Sequence, residues 1–119
     1  MVDKFKEVLA KIHEADKQVS LFAVLKMDEI TDRWSIIFSA PGLEDEKKRR
    51  DTFVYLVDLL PKTLTKKEAE AIARVGVFAL NNHLVENLLK YKTGFEIKES
   101  TPVNGNVVHE GYVLESIDL

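Results

Sequence analysis

With 119 residues, 45% of them apolar and 31% charged, the chain has the size and composition of one folded domain, 1–119, that buries a core without staples. A formal net charge of −3 gives no global positive field toward nucleic acid or anionic membrane, and zero cysteines exclude disulfides, thiolate zinc sites and a cysteine nucleophile. No stretch reaches the roughly 18 apolar residues of a membrane span, and the charge-studded start lacks a signal peptide's apolar core, so a cytoplasmic location is expected.

Residues 3–17 place Phe5, Leu9, Ile12 and Ala15 on one side of an amphipathic helix, with His13 at the surface. "VSLFAVLKM", 19–27, is apolar at both parities, the pattern of a strand covered on both faces. "DEITD" is a polar link too short for a parallel crossover, so "RWSIIFSA", 33–40, returns antiparallel with Trp34, Ile36 and Phe38 on one face. A second helix spans 44–60 and ends at Pro61; its Phe53 should join Phe38 in the core. Thr65 and Glu68 have capping-box spacing and open a third helix with Ala69, Ile72 and Ala73 inward.

"RVGVFAL", 74–80, is open to two readings. One helix could run from 66 to 91 on the spacing Ile72, Gly76, Leu80, Leu84, Leu88. The Val-Gly-Val-Phe run and the pair Asn81-Asn82 favour instead a buried strand at 75–80. A short helix would then follow, capped by Asn81 or Asn82, with Leu84, Val85, Leu88 and Leu89 inward. Near the end, Asn104-Gly105 is the preferred pair of a two-residue hairpin turn. It would set Phe95 opposite Leu114, Ile97 opposite Tyr112, Glu99 opposite Glu110 and Pro102 opposite Val107. Proline inside this strand marks it as a sheet edge and a first choice for partner contact. The element order is α-β-β-α-α-β-α-β-β. It predicts an α+β domain with one mostly antiparallel or mixed sheet of about five strands and helices packed on it.

The stretch "SAPGLEDEKKRRD", 39–51, has the strand, glycine turn and helix of a phosphate cradle. Glu44, Asp45 and Glu46 already occupy the first turn with negative charge, which argues against an anion site. The basic run behind them is matched four residues apart: Glu44 with Lys48, Asp45 with Arg49, Glu46 with Arg50, Lys47 with Asp51. That is a self-neutralised solvent face, and no nucleic-acid partner is expected. Glu96-x-Lys98 is half of a metal-nuclease signature, but a hairpin follows it and the upstream Pro-Asp is missing.

His83 and Glu86 share a helical face at a spacing that suits metal ligation or general-base work, yet two donors make no site. His109 and Glu110 alternate across the last strand. Facing carboxylates at Glu99 and Glu110 would either splay into water or be joined by a cation. None of Ser20, Ser35, Ser39, Ser100 or Ser116 sits in a G-x-S-x-G elbow. No cofactor and no metal set is assigned. The sequence therefore reads as a small binding or interaction protein and not an enzyme, its partner a protein or a second copy met at an open sheet edge. The alternative is a small metal-assisted hydrolase using His83 and Glu86 with His109 or the Glu99/Glu110 pair. A small-molecule binder would need a pocket that sequence does not reveal.

Overall fold

The computed structural model describes residues 1–27 and 30–117. Helix α1, Val2–Glu14, turns Phe5, Val8 and Ile12 inward, and Asp16 at φ 60° leads the chain away from the helix. Ala15, expected on its apolar side, lies beyond the helix and is exposed. Strand β1, Leu21–Met27, pairs antiparallel with β2, Ile30–Ser39, as the short link requires. Of that link, Asp28 and Glu29 lie outside the described residues, and the chain is already strand from Ile30.

Helix α2 spans Glu46–Thr63, two residues later at its start than the charge pattern suggested. Asp45 is not helical but caps it, accepting from Lys47 N at 2.9 Å. Pro61 does not end the helix. A proline costs one donor and crowds one carbonyl, and in the last turn few bonds remain to be disturbed. The Leu64 N–H still reaches Leu60 O at 2.8 Å. The capping box forms as expected and opens α3, Lys66–Ala69, a single turn.

Then comes β3, Ile72–Phe78, so the strand reading prevails over one helix from 66 to 91. The strand starts three residues earlier than expected, and Ile72 and Ala73 belong to it rather than to α3. Helix α4, His83–Leu88, follows, with Asn82 Oδ1 accepting from Leu84 N and Val85 N at 2.9 and 3.4 Å. The last segments are β4 Phe95–Ile97, β5 Thr101–Val103 and β6 Asn106–Ser116.

The sheet order is β3-β2-β1-β6-β4, with β5 also on β6. Among the described residues only β2 and β3 run parallel, joined by the crossover through α2 and α3. Central β1 has a strand on either side and helices over both faces, which accounts for its apolar residues at both parities. On one face α1 and α2 close a core with Phe22, Val24, Trp34, Ile36 and Phe38. On the other, α4 packs over Leu21, Ala23, Leu25, Ile37, Val108 and Val113. This is an α+β domain with a mixed sheet and helices on it, one strand richer than expected because the segment 95–103 is broken in two.

That break corrects the hairpin register. Asn104 and Gly105 have positive φ, 50° and 79°, and next to the turn Pro102 faces Val107 as expected. Beyond it, Lys98, Glu99 and Ser100 oppose only His109 and Glu110, and the pairing slips by one. Phe95 therefore faces Val113 instead of Leu114, and Ile97 faces Gly111 instead of Tyr112. A one-residue slip moves side chains to the other face of a sheet. Ile97 enters the α4-side core at 2% exposure, over a glycine where an added Cβ would stand 3.4 Å from its Cδ1. Phe95 is left 43% exposed, stacked on Tyr91 at 4.5 Å. Glu99 and Glu110 are no longer ladder partners.

Candidate functional site

His83 and Glu86 do meet, Nδ1 to Oε1 at 3.3 Å, on the exposed start of α4. His109 lies at the β1–β6 irregularity, where Lys26 pairs with Glu110 and Met27 with Val108. Its Nδ1 is 3.0 Å from Ser100 Oγ. A hydroxyl on an imidazole is how a nucleophile is activated, but Ser100 is exposed and nothing here excludes water. Glu110 bonds Lys26 Nζ at 3.5 Å, and that ammonium also sits 4.7 Å over the Trp34 ring. Glu99 is exposed on the break between β4 and β5. Among the described residues no group of three or more His, Asp or Glu is placed to hold a metal.

The basic run on α2 forms two of its four pairs, Lys47–Asp51 at 3.1 Å and Glu46–Arg50 at 3.5 Å. Arg49 turns back instead, donating to the Leu43 and Glu44 carbonyls at 2.8 and 3.0 Å. Two of the serines serve the strands: Ser39 Oγ donates to Phe78 O at 2.7 Å and Ser35 Oγ accepts from Arg74 Nε at 3.1 Å, while Ser20 is buried just before β1. Ser116 ties the end of β6 to Thr93 and Leu89. On the α1 side of the sheet Tyr112 is raised above the ordinary tyrosine range, first by burial and then by the Glu96 and Glu110 carboxylates.

A different kind of surface lies along β3. Its sequence led to the expectation of a buried strand, yet it ends the sheet, with β2 as its neighbour on one side and none among the described residues on the other. All but exposed Arg74 of its residues are half-buried. The irregularity falls at Ala73, between the pairs Trp34–Ile72 and Ser35–Arg74, leaving a regular ladder over 74–78. Val75 and Val77 pack toward α2, while Phe78 packs on the α4 side. Beside the strand, α2 exposes Phe53, Val54 and Val57 at 42%, 51% and 40%. The expectation that Phe53 is core is overturned: α2 uses Leu56 and Leu60 for that, and Phe53 lies one step round the helix.

A cavity opens on each side of β3. One, about 310 Å³, lies between α2 and the strand and is lined by Phe53, Val57, Pro61, Ile72 and Val75 among others. The other, about 260 Å³, has Met27, Ile37, Gly76, Phe78, Leu84 and Asn106 in its wall. Arg74 borders both. Along 74–78 the strand thus has no neighbour on its outer side among the described residues, and a hollow lies on each face.

The opposite end of the sheet differs. There β4 and β5 are three residues each, separated by Lys98, Glu99 and Ser100, and β5 carries Pro102. Short strands, charges and proline are the devices that keep an edge from pairing. The segment 95–103 is an edge, as its proline implied, while β3 is longer, has no proline and carries Arg74 as its one charge. Nothing in the sequence alone separated them, because a both-parity apolar run signals burial without saying what buries it. Comparison of the chain with family models, with curated proteins and with solved structures finds no match.

Proposed function

We propose that this protein is a binding module that takes an extended segment of a partner protein as an added strand along β3. The single observation behind this is the open 74–78 edge running between two hollows, an apolar one on the α2 side and a mixed one on the α4 side. A guest strand would supply the ladder hydrogen bonds, and its alternate side chains would enter the α2-side and α4-side hollows. The hollows supply selectivity: the α2 side is apolar and suits aliphatic or aromatic side chains, while the other adds the Asn106 amide.

Selection from a random peptide-display library tests the reading. Enriched peptides should alternate apolar residues and protect the amides of 74–78 from hydrogen exchange. Binding should fall with Val75→Lys, which puts a charge in the α2-side hollow. Peptides that protect a different segment, or no enrichment at all, would defeat it.

A further inference from the structure

We infer that the segment that docks on β3 is the β3 of a second copy, giving a two-fold dimer with one continuous sheet. This rests on the strand-accepting reading above and names the partner.

The regular part of the strand reads Arg74-Val75-Gly76-Val77-Phe78, with identical valines on either side of its glycine. An antiparallel pair built on a two-fold axis through Gly76 sets Val75 opposite the second copy's Val77, and Val77 opposite its Val75. Valines facing valines on the α2 side are favourable cross-strand pairs. On the other side Arg74 comes opposite the second copy's Phe78, a guanidinium beside an aromatic ring. Gly76 meets itself. In the middle of a ladder that would be a weak pair, but the space is already used: a Cβ at Gly76 would lie 2.5 Å from Cε2 of Phe78. The glycine thus admits the ring from its own strand, and in the dimer one ring from each copy flanks the Gly–Gly centre.

The same axis lays α2 against the second copy's α2, antiparallel and on one face of the extended sheet. The exposed Phe53, Val54 and Val57 form the contact. With the axis passing near Phe53 and Val54, Arg50 points toward the second copy's Asp58, a pairing of opposite charges that occurs twice. The patch is therefore complementary to itself in backbone and in charge. A foreign strand gives no reason for the matched valines on either side of Gly76.

Sedimentation equilibrium of the intact chain, over a range of concentrations, measures the dimer. A concentration-dependent dimer is expected, weakened at least about tenfold by Val57→Glu, a loss that corresponds to about 1.4 kcal/mol. Val57 is exposed, so the variant should keep the native circular dichroism. Arg50→Asp and Asp58→Arg should each weaken association, and the double variant should recover it. Because the chain has no cysteine, Val54→Cys adds a single thiol near the axis and should give a disulfide-linked dimer under mild oxidation. A wild-type monomer throughout, or a dimer indifferent to these changes, would overturn the inference. If the monomer result comes with library peptides that still protect 74–78, self-pairing alone fails; if neither pairing occurs, the strand-accepting reading falls with it.

Discussion

Phe38 and Phe53 were equivalent on paper and are not in the fold. Phe38 is 3% exposed and sits edge-on to Phe22 at 6.4 Å, while Phe53 stands 42% open beside β3. Phe38→Ala should cost about 3 to 5 kcal/mol of unfolding free energy, and Phe53→Ala below about 1 kcal/mol at concentrations where the chain is monomeric. Urea titrations of both variants check the contrast. Tyr112 offers a second test at this scale. Burial first, then Glu96 and Glu110, raise its pKa, so the fold favours the protonated phenol. That contribution is whole below the ordinary tyrosine value of about 10 and is lost as pH rises through the raised folded value. Tyr112→Phe should flatten the fall in stability above about pH 10 relative to wild type, read from urea midpoints. An unchanged pH slope would mean the phenol does not titrate differently in the two states.

Among the elements, the short helix α4 depends on its cap. It has six residues, too few to hold by propensity, and Asn82 satisfies two of its first N–H groups. Asn82→Ala should cost about 1 kcal/mol and raise exchange of the α4 amides before those of β1. The first turns of α2 behave differently. Its Lys47–Asp51 pair is exposed, and Lys48 forms none of the expected pairing with Glu44. Lys47→Ala with Lys48→Ala should shift stability by less than about 1 kcal/mol, measured by thermal unfolding. The β4–β6 hairpin shows how an element escapes a sequence rule. The turn set the register only as far as Val108, and the break at 98–100 then reset it so that Ile97 could cover Gly111.

At the scale of the whole molecule, β6 lies between β1 and β4 although it comes last in the chain. The sheet is therefore closed by residues far apart in sequence, with Val108 and Val113 fully buried. Such pairing makes folding all-or-none and comparatively slow. Trp34, 5% exposed between Phe5 and Tyr112 at 5.7 and 5.9 Å, reports on α1, β2 and β6 together. Its fluorescence and the far-ultraviolet circular dichroism should give coincident urea transitions. Separate midpoints would show that the two cores unfold independently.

Local chemistry was legible in the residues: the capping box at Thr65, the Asn82 cap, the Asn104-Gly105 turn, the β1–β2 hairpin and both-face burial of β1. Each depends on neighbours within a few positions or on a simple alternation, and so does the α+β class that follows from their order. The tertiary structure decided what those patterns leave open. It carried α2 through Pro61, turned Phe53 outward, split 95–103 and took Glu99 away from Glu110. It also set His109 beside Ser100, apart from the local His83–Glu86 pair. Above all it placed β3 at the end of the sheet. An apolar strand is indifferent to which strand lies beside it, since its hydrogen bonds are all backbone and its side chains need only cover. Strand order is set by which long-range packing buries the most surface, and that sum is not written in any one segment.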